Sequence, residues 1–133
     1  MTFKHQALAL LLVLSCARLG ATEFVVIVHP SAQAMTKEKA ADIFLGKEPT
    51  LTPVDYVDTV PIRAEFYKKL AARDLAQIKT VWIRLVFTGK GIAPKEYPDA
   101  AAVKRAVAAD PKVVGYIEKS ALDGTVKAAL LLE

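Results

Sequence analysis

Apolar residues occur along the chain in two kinds of pattern, which separate strands from helices. Continuous apolar runs rich in β-branched residues are typical of strands buried in a helix-covered sheet. Four segments fit a strand: 23–29, 51–57, 113–118 and 126–132. Pro53 places the second of them at a sheet edge or at a strand start. Gly115, inside the third, predicts a close approach of another part of the protein to the backbone.

Four further segments repeat apolar residues at helical spacing, and each opens on residues that favour a helix start. The predicted helices span 36–46, 58–70, 74–89 and 99–110. The predicted caps are Thr36 for the first, Asp58 and Thr59 for the second, Asp74 for the third and Asp99 for the fourth. Gly46 fits a left-handed helix end. Strands alternate with helices, so the predicted class is α/β with a mixed sheet of about four strands flanked by helices.

The first 21 residues differ from the rest of the chain. Lys4 precedes an apolar run, Ala7–Leu14, and small residues follow up to Ala21. This order predicts a secretory signal peptide over 1–21, with one periplasmic domain over 22–133. The apolar run is much shorter than the roughly 20 residues of a membrane-spanning helix.

Val13–Cys16 offers an alternative, because it resembles a bacterial lipobox in which Cys16 would carry the lipid anchor. Cys16 is the only cysteine of the chain. A cut beyond it would leave a mature domain without any thiol or disulfide.

The charge of the predicted domain is close to balance. The whole chain has 18 basic and 14 acidic residues, a net charge of +4. Removing Lys4 and Arg18 with the signal peptide leaves 16 basic minus 14 acidic residues, or +2. The charges are interspersed and form no basic stripe, which argues against a nucleic-acid partner.

Few residues of the predicted domain suit catalysis. His29 is its single histidine, and neither a Gly-x-Ser-x-Gly elbow nor a zinc-type histidine pair occurs. The segment Thr88–Gly91 follows a helix and fits a helix-ending turn better than a phosphate loop. We therefore expect no enzyme activity, no cofactor and no metal site.

The most informative stretch is the start of the second predicted helix. Pro61 suits a first helical turn, and Arg63 lies in that turn. Free backbone N–H groups with one guanidinium can hold a small oxyanion. Ser31 follows the first strand, and ligands of open α/β sheets bind beyond strand ends. Ser31, Thr59 and Arg63 are thus expected to converge on one small anion; an ordinary capped helix with a solvated arginine is the alternative.

Four segments together resemble a known family. They are VVIVHPSAQAMTKEKAADIFLGK (25–47), VPIRAEFYKKL (60–70), VWIRLVFTGKG (81–91) and VKRAVAADPKVVGYIEKSALDG (103–124). Their order and spacing are similar to those of small, single-lobe relatives of the substrate-binding proteins of phosphate ABC transporters, in the type 2 periplasmic binding protein superfamily. The resemblance implies one lobe of a two-lobe binding protein, located in the periplasm.

The resemblance also implies a phosphate site at residues 58–63, where the family has a Ser-Gly-Thr helix opening. Val60 and Pro61 stand where Ser and Gly are expected, and Pro has no N–H. The candidate anion-binding residues are Ser31, Thr59, Ile62 and Arg63.

Two functions follow from these observations. The first is a periplasmic solute-binding-like protein linked to the uptake of phosphate or another small oxyanion by an ABC transporter, binding weakly or as a homodimer that closes its own cleft. The second is a ligand-free interaction or sensor module of the cell envelope that binds a membrane permease or another envelope protein through the former cleft face.

Overall fold

The structure, a computed structural model, describes residues 22–133. The predicted signal peptide and Cys16 lie outside the described residues. The strands and helices are, in chain order, β1 Phe24–Val28, α1 Lys37–Phe44, β2 Thr52–Tyr56, α2 Pro61–Ala71, α3 Leu75–Phe87, β3 Lys95–Tyr97, α4 Ala100–Ala109, β4 Val113–Glu118 and β5 Lys127–Leu132. None of the helices in 22–133 has the length and apolarity needed to cross a membrane.

The strands form one mixed sheet in the order β3-β2-β4-β1-β5. β2 and β3 are parallel to each other, and β2 is parallel to β4, whereas β1 is antiparallel to both β4 and β5. Because β1 is antiparallel to β2, the carboxyl ends of these two strands lie at opposite ends of the sheet along the strand direction. The predicted α/β class with a mixed, helix-flanked sheet is confirmed.

The described part of the chain has five strands, one more than the expected number of about four. The additional strand is β3, in a segment for which neither a strand nor a helix was predicted, and it pairs with Val54–Tyr56 of β2. β2 is therefore an interior strand, so the edge is excluded as the reason for Pro53, and the predicted alternative of a strand start is closer, because Pro53 is the second residue of β2. Pro53 is tolerated because β3 pairs only from Val54 onward and leaves the start of β2 uncovered on that side.

Three of the four predicted helix caps are confirmed. The side chains of Thr36, Asp74 and Asp99 each accept a hydrogen bond from a backbone N–H of the first helical turn. Asp74 and Gln77 also form a reciprocal capping box. The caps predicted for α2 were wrong, because the helix begins after Val60, which gives no side-chain cap. Pro61 occupies the first turn of α2, as predicted.

The core lies between the sheet and the helices on its two faces. On one face the ring of Tyr116 in β4 stacks on Phe66 of α2, with centroids 3.5 Å apart and planes 2° from parallel. Phe44 of α1 meets both rings edge to face. On the other face α4 approaches the backbone of β4 at Gly115, as the sequence predicted.

Gly115 allows us to test how tightly α4 packs on the sheet. A Cβ atom at this position would lie 2.7 Å from Cγ1 of Val103. Gly115→Ala should therefore lower the free energy of unfolding by about 1–3 kcal/mol in chemical denaturation, the usual cost of overpacking a core. Gly124→Ala is the matched control, because a Cβ there meets nothing within 4 Å. Equal stability of the two variants would contradict this packing.

Candidate functional site

A buried carboxylate lies at the carboxyl end of β2. Asp55 is 2% exposed, and its oxygens accept hydrogen bonds from the hydroxyl of Tyr67 at 2.5 Å and of Tyr116 at 2.6 Å. The backbone N–H of Tyr56 donates a third bond at 2.7 Å. Three donors from a strand, a helix and a neighbouring strand thus converge on one side chain. We call Asp55, Arg63, Tyr67, Glu96 and Tyr116 the Asp55 cluster.

Arg63 supplies the positive charge of this cluster. Its Nη1 donates to the carbonyl of Tyr56 at 2.7 Å and to Oε2 of Glu96 at 3.1 Å. Its Nε lies 3.7 Å from Oδ2 of Asp55 and, although buried, makes no hydrogen bond. Arg63 and Tyr67 are four residues apart on α2, which places both side chains on one helix face. The guanidinium therefore bridges α2, β2 and β3.

The ionisation of the cluster follows from its burial. Burial raises the pKa of the Asp55 carboxyl, while Arg63 and the three hydrogen bonds oppose that rise. Burial, together with the negative charge of Asp55, raises the pKa of the Tyr67 and Tyr116 hydroxyls well above the usual value. The two phenols therefore act as hydrogen-bond donors at neutral pH.

A groove of about 480 Å³ opens beside the cluster, between α3 and the segment that enters β3. Arg63, Asp55 and Glu96 form its floor, and an ion pair between Asp58 and Lys79 at 2.9 Å also lines it. The remaining lining is apolar and comes from Ile78, Trp82, Ile83, Val86, Phe87, Ala93 and Pro94. A ligand here would contact an apolar wall and a charged floor at the same time.

α3 forms the long wall of the groove and carries apolar residues on more than one face. Ile78 is buried, and Trp82 is half-buried, with its indole N–H donating to the carbonyl of Phe44 at 3.1 Å. Val86, one turn after Trp82 on the same side of the helix, is 47% exposed. Ile83 and Phe87 project from the helix with 70% and 90% of their surface exposed. We call the exposed side chains of Ile83, Val86 and Phe87, with Ile92 just beyond the helix, the α3 ridge.

The predicted anion-binding residues do not all lie together. Ser31 follows the carboxyl end of β1. It lies at the end of the sheet opposite the one that carries Thr59, Ile62 and Arg63. A strand rises about 3.3 Å per residue, so these two ends of the sheet are at least about 10 Å apart. The predicted convergence of Ser31 with Thr59 and Arg63 was therefore wrong. Ser31 instead lies against His29, with its Oγ 2.7 Å from Nδ1.

The other three residues occupy one corner of the fold in different environments. Thr59 is exposed in the turn before α2, Ile62 is half-buried against the core, and Arg63 is 9% exposed. The backbone N–H of Arg63 donates to the carbonyl of Val60 at 3.2 Å, so it is not free for a ligand. Anion binding by these three residues stays a prediction.

Five residues of this site were not predicted from the sequence: Asp55, Glu96, Tyr56, Tyr67 and Tyr116. Asp55 was not among the predicted site residues, although it stands between Val54 and Tyr56 within the predicted strand 51–57. An acid inside such a strand needs a buried partner, and an arginine follows eight residues later. That pairing was the available signal. Glu96 lies in the unpredicted strand β3 and had no comparable signal. In residues 22–133 no cluster of three or more potential metal ligands occurs.

Comparison with solved structures supports the resemblance stated from the sequence. The chain is similar to an ABC-type phosphate transport receptor from Vibrio cholerae, with a TM-score of 0.63 and 15% identity over 80% of this chain and 46% of that chain. A Clostridium perfringens structure, described as a phosphate ABC transporter substrate-binding protein with bound phosphate, gives 0.64 and 17% over 81% and 45%.

PstS from Borrelia burgdorferi matches with a TM-score of 0.52 and 11% identity, over 74% of this chain and 42% of that chain. The chain thus spans less than half the length of these proteins, and its fold is similar to a single lobe of theirs. At these identities the likeness concerns the fold alone. No family model and no curated protein matches the sequence.

The Asp55 cluster predicts a large stability effect. Asp55→Ala should lower the free energy of unfolding by about 3–5 kcal/mol, because it leaves two buried tyrosine hydroxyls without their acceptor and removes the more deeply buried of the two carboxylates beside Arg63. Asp58→Ala is the control, since both partners of its ion pair with Lys79 are about half exposed, and little change is expected. Urea denaturation followed by circular dichroism measures both variants. A change below about 1 kcal/mol for Asp55→Ala would contradict the cluster's role.

The buried tyrosines predict loss of stability at high pH. The pKa values of Tyr56, Tyr67 and Tyr116 are raised in the folded state above the unfolded value of about 10. Above that pH the unfolded chain loses protons that the folded chain keeps, so stability is complete below pH about 10 and falls as the pH rises. The part of the tyrosinate absorbance at 295 nm that comes from these three residues, the larger part of the total of four tyrosines, should therefore rise in step with loss of the far-ultraviolet circular dichroism. Ionisation of all four tyrosines in a still folded protein would contradict this.

Proposed function

We propose that the protein is an interaction module of the cell envelope, built on the fold of a substrate-binding lobe, that docks a protein partner through the groove and the α3 ridge. The observation that carries the proposal is the exposed apolar surface of the ridge. Ile83, Phe87 and Ile92 are 70%, 90% and 90% exposed and lie close together in sequence. Large apolar side chains concentrated beside a groove mark a surface that another molecule covers.

The environment of Arg63 supports docking over anion capture. Its guanidinium is 9% exposed and is held between the carboxylates of Asp55 and Glu96. An oxyanion would compete with two carboxyl groups already in place. The helix start offers little compensation, because Val60 gives no hydroxyl and Pro61 gives no N–H.

The envelope location rests on the signal peptide predicted for residues 1–21, which implies the periplasm, or on lipid attachment at Cys16 in the alternative reading. A membrane permease or a sensor protein is then within reach of the domain. The fold is similar to one lobe of transport receptors that have about twice the length. This likeness supports a membrane protein, such as a permease, as the partner.

Oxyanion binding for uptake through an ABC transporter is the second candidate. It is favoured by the likeness to a Clostridium perfringens structure that contains phosphate. Thr59 is exposed beside the start of α2, and Ile62 lies in the first turn of that helix, where backbone N–H groups in general have no intrahelical acceptor. A homodimer that closes the site would belong to this candidate, because a single lobe leaves an anion largely in water, where charged hydrogen bonds are weaker.

Site-specific photo-crosslinking in the cells that make the protein tests the docking surface. A photoreactive residue at Ile83 should give one discrete protein adduct. The same residue at Leu131, which is 41% exposed on β5, is the control and should give none. Absence of an adduct at Ile83, or the same adduct from both positions, would contradict the proposal.

Calorimetry with phosphate, sulfate, phosphonate and acetate separates the two candidates. We expect no heat of binding at millimolar anion, because the guanidinium is already paired. Micromolar binding of phosphate, weakened by Thr59→Ala, would instead support the second candidate. Thr59 is exposed, so this change leaves the core intact.

A further inference from the structure

The groove combines its apolar wall with an excess of acidic groups. Three carboxyl groups and two basic groups line it: Asp55, Asp58, Glu96, Arg63 and Lys79. Lys79 is paired with Asp58 at 2.9 Å, so this ion pair adds no net charge. The floor then holds one guanidinium and two carboxyl groups. It is negative when Asp55 is ionised and neutral when Asp55 is protonated, and in neither state does it attract an anion.

Glu96 is the acid that a docked molecule could reach. Its side chain is 46% exposed, whereas that of Asp55 is 3% exposed. In residues 22–133 Glu96 accepts one side-chain hydrogen bond, from Arg63 to Oε2. Its other oxygen has no protein donor in that range, and the half-exposed side chain lines the groove. A cationic group entering the groove could pair with this oxygen.

The size of the apolar surface indicates a protein segment as the occupant. A small molecule inside the groove would leave Ile92, which is 90% exposed, still in water. Ile92 lies outside the groove lining altogether. A helix or extended segment of another protein can cover the groove and the ridge together, and it gains more from the burial of apolar area.

We propose that the groove and the α3 ridge dock an apolar segment of a partner protein that carries a lysine or arginine, whose charge pairs with Glu96. This inference rests on the docking function proposed above. The apolar residues of the segment contact Ile83 and Phe87 and provide most of the affinity. The basic residue provides selectivity, because an acidic residue at the same place would meet the carboxylate of Glu96.

Three synthetic helical peptides test the charge preference. They are 14-residue Leu/Ala-rich sequences that differ only in one central residue, which is Lys, Gln or Glu. Trp82 is the only tryptophan of the chain and lines the groove, so its fluorescence reports binding. We expect the Lys peptide to bind about tenfold tighter than the Glu peptide, with the Gln peptide between them, as for one partly exposed ion pair.

A matched pair of variants locates the preference. Glu96→Gln keeps an acceptor for Arg63 but removes the charge, and it should make the Lys and Glu peptides bind with nearly equal affinity. Glu38→Gln, on the exposed start of α1 away from the groove, should leave the tenfold ratio unchanged. A change in the ratio with Glu38→Gln, or none with Glu96→Gln, would overturn the assignment.

The outcomes also separate this inference from the docking function. Equal binding of all three peptides to the unmodified protein, or a preference for the Glu peptide, would overturn the charge selection and leave docking intact. Failure of every peptide to bind at millimolar concentration, together with a negative crosslinking result at Ile83, would overturn both.

Discussion

The buried Asp55 carboxylate is the group on which the rest of this corner depends. It lies on β2, and its donors are the hydroxyl of Tyr67 on α2, the hydroxyl of Tyr116 on β4 and the N–H of Tyr56 in its own strand. Burial of an ionisable group costs free energy unless hydrogen bonds and a countercharge compensate for it. Here both are present, so the position of α2 relative to the sheet is fixed by polar geometry as well as by apolar packing.

This arrangement determines what Arg63 can do. An arginine in the first turn of a helix is, in general, well placed to bind an anion in solution. In this protein its side chain bends inward, bonds the end of β2 and reaches Glu96 in β3. The same residue type at the same helical position therefore has a structural role. What distinguishes the two roles is whether a carboxylate is buried within reach, and that depends on Asp55 and Glu96.

The sequence predicted those features that depend on neighbouring residues. The apolar runs located β1, β4 and β5, the caps Thr36, Asp74 and Asp99 located three helix starts, and Gly115 indicated a close approach to the backbone without naming the element that makes it. All of these are local patterns, and local chemistry decides them. β3 was missed because three residues, Lys-Glu-Tyr, carry no apolar period, and they become a strand only through pairing with β2.

The site was harder to predict than the fold because it depends on strand direction. Ser31 and Arg63 each follow a strand, and in a fully parallel sheet both would lie at the same end of the sheet. Here β1 is antiparallel to β4, and that single reversal separates them. Strand direction follows from long-range pairing, which a sequence pattern of apolar residues does not specify. The hydrogen bonds from Tyr67 and Tyr116 to Asp55 likewise depend on the packing of α2 against β4, so the sequence pattern did not predict them.

The same geometry explains why the groove differs from a site built for a small anion. Capture of phosphate requires free donors that surround the ligand and exclude water. In this protein the nearest strong donor is already shared by two carboxyl groups, and the walls consist of aliphatic and aromatic side chains on α3. The walls are apolar and the floor is acidic or neutral, so the groove offers no free positive charge to an anion. Under the proposed docking function, the fold stays that of a binding lobe while the groove serves as a protein interface, since a fold does not by itself fix a function.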